Sequence, residues 1–161
     1  MASDIFAKIG DIKGESLDAK HKDEIEVLSF SWGVSNTGST GSGGGGGGAT
    51  GKAVFEDLEI VHGIDNATPA LLKACATGQH IKDATITHRK AGKGQQEFLI
   101  VTLNDVTIAA VSHSGEDAEP YVEAVSLKFA KVDFHYRKQR SDGSLDPGEH
   151  FKYDLKANKI G

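Results

Sequence analysis

Residues typical of phosphate binding occur at the end of a glycine-rich segment, but two parts of the pattern are missing. The stretch from Gly46 to Lys52 reads GGGATGK and is followed by Ala53. A phosphate-binding loop has a Ser or Thr after the lysine to hold Mg²⁺, and it leads into a helix whose N–H groups face the phosphates. Here the following residues alternate like a strand. The match is therefore interpreted as accidental.

Hydrolase residue types occur together in the segment His113 to Asp117, HSGED. Catalysis would need a nucleophile held on a rigid turn, with a base within reach of it. A polar loop between two strands, rich in Ser and Gly, explains the same residues. The single cysteine, Cys75, lies on the apolar face of a predicted helix, where packing is its usual role. The sequence therefore predicts no enzyme.

Histidine is the remaining candidate for metal binding, and its spacing does not favour a metal site. The seven histidines are His21, His62, His80, His88, His113, His135 and His150. No two are three or four residues apart, and one cysteine offers no thiolate pair, whereas a zinc site needs gathered ligands. His88 alternates with Ile86 and Ala84, which predicts a partly buried strand residue. We expect no metal and no other cofactor.

Composition sets the broad class. The chain has 161 residues, of which 25% are charged and 38% hydrophobic, with a formal net charge of −5. These values are typical of one ordinary domain over residues 1–161, without a membrane span or the basic face of a nucleic-acid binder. The first residues, MASDIF, have neither the basic nor the apolar region of a signal peptide. We expect synthesis in the cytoplasm and no membrane insertion.

Strand-like alternation dominates the first part of the chain. Ile5, Ala7 and Ile9 alternate with polar and aromatic neighbours, which predicts a first strand. A second strand is predicted from Ile25 to Val34. Side chains alternate along a strand, so its later half should have two different faces. They are Phe30, Trp32 and Val34 on an aromatic side, and Ser29, Ser31 and Gly33 on a small polar side. The aromatic side is expected to point into the core.

One helix is predicted, from Pro69 to Thr77. Thr68 is suited to the N-cap, Pro69 to the first helical position and Gly78 to the C-terminal end. Its expected apolar face comprises Leu71, Leu72 and Cys75.

The rest of the chain again indicates strands. Three are predicted over Ile81–Arg89, Glu97–Leu103 and Val106–Val111, with Asn104–Asp105 as a hairpin turn between the last two. The segment Val122–Tyr136 alternates for so long that a bulge or membership of both sheets is expected. His150–Leu155 is a candidate last strand. Many short strands and one helix predict a mainly β fold, a two-sheet antiparallel barrel or sandwich.

A long glycine-rich loop interrupts this pattern over residues 35–53. Loops beyond roughly 12–15 residues are uncommon within compact domains and are usually functional or disordered. A linker between two domains is one interpretation, but the part before the loop is too short to bury a core of its own. Extra loop length costs only about 0.6 kcal/mol per doubling. A protruding loop of a single domain is the better interpretation.

Ordered segments along nearly the whole chain closely resemble the Hcp (haemolysin-coregulated protein) family. They are FAKIGDIKGES from Phe6 with Asp18, His21 and SFSWGV from Ser29, then Asp65–Ile81, Arg89–Gly92, Phe98–Val111 and Glu123–Val132. Members of this family are tube-forming subunits of the type VI secretion system. The alternatives are a phage-type tail tube protein and a stand-alone secreted β-sandwich that binds carbohydrate or protein.

The resemblance implies a homohexameric ring that stacks into a tube, is propelled from the cell and carries effector proteins in its lumen. It implies partners in a spike protein, a baseplate and a contractile sheath. The protein would be cytoplasmic before firing and then secreted without a signal peptide. Ser29, Ser31 and Gly33 are then expected to line the lumen. Contacts between rings or subunits are expected from Ser35, Asn36, Thr37, Thr50 and Lys52 at the shoulders of the loop.

Overall fold

The computed structural model describes residues 3–38, 51–90, 94–117 and 121–161. In this part of the chain it contains twelve strands and one helix, so the predicted mainly β class is confirmed. The strands before the helix are β1 (Ser3–Ile9), β2 (Ile25–Val27), β3 (Ser29–Ser31), β4 (Val34–Asn36), β5 (Ala53–Phe55) and β6 (Leu58–Gly63). Helix α1 (Thr68–Thr77) is followed by β7 (Ile81–Lys90), β8 (Glu97–Ser114), β9 (Val122–Lys128), β10 (Lys131–Tyr136), β11 (Glu149–Asp154) and β12 (Lys159–Ile160).

The strands form two antiparallel layers that share β8. The first layer has the order β12-β11-β10-β8-β7-β1-β2, and the second has the order β3-β6-β9-β8. Strands β4 and β5 form a separate two-stranded ribbon. Within the described ranges the layers do not close into a barrel, so the arrangement is a sandwich.

The predicted hairpin at Asn104–Asp105 is wrong, because both residues lie inside strand β8. The chain continues through both residues as one strand of 18 residues, although Asp105 has a left-handed φ of 53°. Up to Val106 the strand pairs with β7, and from Thr107 onward it pairs with β9. Asn and Asp tolerate left-handed geometry in turns. Here that tolerance lets a strand bend from one layer into the other.

The long alternating segment Val122–Tyr136 does serve both layers. Strand β9 belongs to the second layer and β10 to the first, and the chain crosses between them at Phe129–Ala130. The predicted last strand is confirmed as β11, and a further short strand, β12, follows it.

The second strand was predicted as continuous from Ile25 to Val34 and is instead divided into β2, β3 and β4. Phe30 and Trp32 are half-buried and pack against the core. Val34 was expected beside them, but it is 51% exposed, because the chain has already left the second layer to pair with β5. The prediction that Val34 points into the core is wrong.

The helix begins at Thr68, so Thr68 is not its N-cap. Ala67 precedes the helix and makes no side-chain capping bond. Instead the Ala67 N–H donates to Asp65 Oδ1 at 2.8 Å, and Thr68 Oγ1 accepts from the Asp65 N–H at 3.2 Å. The predicted end at Gly78 is confirmed by its φ of 63°.

The buried face of α1 also differs from the predicted one. It consists of Thr68, Leu71 and Ala74, with Cys75 partly buried against the core. Leu72 was expected on this face but is 42% exposed. The helix therefore contacts the sandwich through a narrower stripe than its sequence suggested.

A buried ion-pair cluster fixes the loop between β1 and β2. Arg89 is 2% exposed and donates from Nη1 to Asp18 Oδ1 at 3.0 Å, from Nη2 to Asp18 Oδ2, and from Nε to Asp4 Oδ2 at 3.3 Å. Its guanidinium lies 4.8 Å from the ring centroid of Phe6. The bond from Arg89 holds the pKa of Asp18 well below its usual range.

A histidine on the same loop reinforces this attachment. His21 Nδ1 lies 2.7 Å from Glu24 Oε2, and His21 Nε2 lies 2.7 Å from Glu97 Oε1. The imidazole stacks on Phe6 with ring centroids 4.4 Å apart. The loop is thus held by directed polar contacts as well as by packing.

We predict that Asp18→Asn lowers the melting temperature by several degrees at about pH 7 and less under acidic conditions. The free pKa of Asp is about 3.9, and a lowered folded pKa contributes stability above that value, which is lost as the pH falls through the folded pKa. Thermal melts at about pH 7 and about pH 2.5 measure the difference. Asp11→Asn, at an exposed loop carboxylate, is the control. An equal loss at both pH values would contradict this account.

Candidate functional site

The outer face of the second layer carries mainly small side chains in register across four strands. One row joins Ser31, Glu59, Ser126 and Ala110, and the next joins Ser29, Val61, Ala124 and Ser112. A third row joins Gly63, Val122 and Ser114. We call these eleven residues the small-residue face. All are half-buried or exposed, so the face is open to solvent in the single chain.

The opposite side of the same strands forms the core. In β6 the buried residues Leu58 and Ile60 alternate with Glu59 and Val61. The same alternation in β9 buries Val125. Because successive side chains of a strand point to opposite faces, the small-residue face follows directly from the packing of the core.

The structure separates the three residues that were predicted to share one face. Ser29 and Ser31 lie on the small-residue face and are exposed. Gly33 lies after β3 and does not pair within this layer; its carbonyl accepts a hydrogen bond from the Glu56 N–H at 2.9 Å. The carboxylate of Glu56 lies close to the space that a Cβ on Gly33 would occupy. Gly33 therefore belongs to the base of the ribbon.

The shoulders of the long loop are held together at the ribbon β4–β5. Ser35 pairs with Val54, and Asn36 Nδ2 donates to the Gly51 carbonyl at 3.0 Å. The Thr37 N–H donates to the Lys52 carbonyl at 3.3 Å. Four of the five predicted contact residues, Ser35, Asn36, Thr37 and Lys52, thus lie near one another on the ribbon. Thr50 lies outside the described residues, as does the run Gly43–Gly48.

The second layer has two edges that are unpaired within the described ranges. Strand β3 pairs only with β6, and residues Thr107–Ser114 of β8 pair only with β9. Unpaired edges expose rows of backbone N–H and C=O groups, which native proteins normally cover. A strand of another chain can therefore pair with the second layer at either lateral edge, β3 or the later half of β8.

A buried polar row lies on the core side at one end of this layer. Glu123 is in register with His62 on one neighbouring strand and with His113 on the other. Glu123 Oε1 lies 2.8 Å from His62 Nε2, and Glu123 Oε2 lies 2.5 Å from His113 Nε2. Thr68 Oγ1 at the start of α1 donates to Glu123 Oε1 at 3.3 Å.

The sequence did not predict this row, because its two histidines and its glutamate lie on three different strands. The signal was available, since His62 continues the buried series of Leu58 and Ile60, and Glu123 continues that of Val125 and Leu127. A buried carboxylate must find hydrogen-bond donors. Which donors it finds depends on strand pairing, and no spacing within one strand reveals that.

The remaining residues that were considered for catalysis or metal binding do not form a site among the described residues. His88 is a half-buried strand residue, 4.7 Å from the Phe98 ring, and burial lowers its pKa. Among the described residues no group of three or more His, Cys, Asp or Glu side chains is placed to hold a metal ion. The helix in this part of the chain is too short and polar to cross a membrane.

In the described part of the chain, the two antiparallel layers with one helix, two unpaired edges and a face of small side chains define a mainly β protein of the sandwich class. The sequence of residues 6–136 matches the family described as type VI secretion system effector, Hcp. The chain belongs to this family.

Individual relatives agree with this assignment. The chain is 47% identical to protein hcp1 of Pseudomonas aeruginosa over 150 residues, covering 92% of this chain and 91% of the relative. Hcp1 from Salmonella typhimurium superposes with a TM-score of 0.78 at 39% identity, with both chains fully covered. A further solved structure, described as a type six secretion system protein, superposes with a TM-score of 0.92 at 28% identity over 99% of this chain and 100% of the other.

We predict that Ser31→Gln changes the free energy of unfolding by less than about 0.5 kcal/mol, as most exposed substitutions do. Ile60→Ala, on the facing strand but in the core, should cost about 2–5 kcal/mol because it leaves a cavity. Denaturant unfolding of the two variants beside the wild type measures both values. If Ser31→Gln proved as costly as Ile60→Ala, Ser31 would not be on an open face.

Proposed function

We propose that this protein is the subunit of a type VI secretion tube, in which six copies close a ring around a central channel. The observation that carries the proposal is the small-residue face, which is bounded by two unpaired strand edges. Membership of the family described as type VI secretion system effector, Hcp, supports a role in that system.

The two edges differ from one another, which favours a ring over a simple dimer. One edge is the short strand β3, and the other is the later half of β8. A contact between unlike patches on identical subunits is heterologous, and it closes into a ring when the rotation per subunit is suitable. In the proposed ring the β8 edge of one copy lies beside β3 of the next, so that the second layers surround the channel.

The small-residue face suits the wall of such a channel. Ser, Ala and Gly side chains leave the bore open, and hydroxyl groups on Ser31, Ser112 and Ser126 offer hydrogen bonds without fixed charge. Glu59 is the one acidic residue of the face. Symmetry would repeat every contact around the ring, so individually weak contacts could together retain an effector protein. In this proposal the protein transports its cargo and has no catalytic role.

The ribbon β4–β5 is the proposed contact with a neighbouring ring or subunit. Val34 and Val54 on the ribbon are both largely exposed, and Ser35, Asn36, Thr37 and Lys52 present polar groups next to them. Thr50 is assigned to the same contact from its place in the sequence. Exposed apolar groups ringed by polar ones are typical of protein contacts.

The proposed life cycle follows from the secretion system. The subunit is made in the cytoplasm and assembles there into stacked rings inside a contractile sheath on a baseplate. A spike protein caps the tube, and firing carries tube, spike and effectors out of the cell. No nucleic acid takes part in this proposal, in keeping with the net charge of −5.

We predict that the purified protein forms a ring with about six times the mass of one chain. Light scattering coupled to sizing, at micromolar concentration, measures this mass. The subunit contact should exceed the roughly 800 Å² that is common for crystal contacts. A monomer or dimer would favour a stand-alone binding module and would contradict the proposal.

We further predict that Ser31→Gln keeps the ring but retains less of a co-expressed effector. The longer amide side chain would enter the channel once in every subunit, so one substitution would change a whole level of the wall. Co-purification with the wild type and with the variant measures retention. Ser141→Gln, at an exposed turn between β10 and β11, is the matched control. Disruption of the ring by Ser31→Gln would show that Ser31 lies in a subunit contact instead.

Deletion of Gly43–Gly48 should leave the ring intact and weaken the stacking of rings. A glycine run contributes no side chains to the core and is costly to order. Sizing and thermal melts test the ring, and electron microscopy at high protein concentration tests the stacking. A deletion variant that unfolds, or one that stacks as well as the wild type, would contradict the assigned role of the loop.

A further inference from the structure

The buried row His62–Glu123–His113 takes no part in the proposed channel wall, because it lies on the core side of the second layer. His62 and Glu123 are both completely buried, and His113 is 38% exposed through its side chain. Both carboxylate oxygens of Glu123 lie within hydrogen-bond distance of polar groups, from His62, His113 and Thr68. The row therefore places a hydrogen-bonded carboxyl group away from water.

A second carboxylate lies on the other side of His62. Its Nδ1 atom is buried, has no hydrogen-bond partner, and lies 3.6 Å from Asp65 Oδ2. A neutral imidazole carries only one N–H, and the 2.8 Å contact with Glu123 assigns it to Nε2 if the Glu123 carboxyl group is the acceptor. Its Nδ1 would then present a lone pair to a carboxylate oxygen. One additional proton, on Nδ1 or on Asp65, would make this contact attractive, and a shift of a few tenths of an ångström would bring the two atoms within hydrogen-bond distance.

Among the described residues, every charged group that faces this contact from the surrounding elements is acidic or histidine. Strand β9 contributes Glu123 and β8 contributes His113, while α1 contributes only the hydroxyl of Thr68. The loop after β1 contributes Glu15, whose Oε2 accepts the Asn66 N–H at 2.8 Å.

Glu15 and Glu26 also line a groove of about 270 Å³ beside Asp65. Burial raises the pKa of Asp65, and the charges of Glu15 and Glu123 act in the same direction. Within the described ranges the groups around Asp65 are therefore carboxyl groups and histidine, with no Lys or Arg among them.

We propose that the His62–Asp65 contact holds one proton that latches the turn between β6 and α1 to the end of the second layer. When the proton is lost, the buried region gains a negative charge and an unsatisfied lone pair, and the turn opens. The closed turn binds one proton more than the open turn, so its stability falls as the pH rises. The latch is a property of the folded chain and does not depend on ring formation.

The test is hydrogen exchange of backbone amides in the full-length protein as a function of pH. The reporters are Ile64, Thr68 and Leu71, whose N–H groups donate to Tyr121, Asp65 and Ala67. Their protection factors should fall by roughly tenfold or more as the pH rises from about 4, near the free pKa of Asp, to about 8.5, since one linked proton gives at most tenfold per pH unit. Ile86 and Val101, paired in the first layer, should show no comparable fall.

Asp65→Asn should remove the pH dependence without opening the turn. The Asn amide can donate to His62 Nδ1 permanently, and its Oδ1 can still accept from the Ala67 N–H as Asp65 does. Asp133→Asn is the matched control, because Asp133 bonds His150 Nδ1 at 2.9 Å on the surface of the other layer. This control should keep the wild-type profile.

Three results would overturn the proposal. They are constant or rising protection of the turn in the wild type, an unchanged profile in Asp65→Asn, and loss of the dependence in Asp133→Asn. The wild-type profile alone decides the matter if Asp65→Asn does not fold.

Discussion

Strand β8 is the constraint on which the rest of the structure depends, because it belongs to both layers. Its first half pairs with β7 and β10, its second half pairs with β9, and the left-handed Asp105 lies between them. A register shift of one residue in either half would turn its buried side chains outward. The position of the small-residue face is therefore fixed by the same strand that anchors the core of the first layer.

Two kinds of interaction stabilise the sandwich, which are apolar packing and buried polar clusters. Apolar residues from both layers fill its interior, including Ile9, Ile60, Leu103 and Leu127, all of which are fully buried. Buried polar clusters fix segments that apolar packing alone would leave free. The Arg89 cluster attaches the loop after β1, and the Glu123 row attaches α1 to the end of the second layer. A buried polar group without a partner lowers the stability of the fold, whereas a cluster in which every group is hydrogen-bonded favours one arrangement of the core.

Alternation along strands made much of the fold predictable from sequence, and its failures have physical causes. It identified the exposure of Ser29 and Ser31, since side-chain direction within a strand is a local property. It failed at Asp105 and Val34, where the chain changes layers, because such a change depends on partners far away in sequence. Glu123 was missed for the same reason, since its donors come from two other strands and a helix. Side-chain alternation therefore predicts which face of a strand is buried, but it does not predict which other strands or helices pack beside it.

In the proposed ring, the small-residue face of the second layer is the inner wall of the channel. The most direct measurement is electron cryomicroscopy of the assembled protein, at a resolution that traces the strands. We expect a six-membered ring with Ser29, Ser31, Ala124 and Ser126 facing the channel, and with β8 of each copy next to β3 of its neighbour. A channel lined by the outer surface of the first layer, or a particle with no ring, would contradict it.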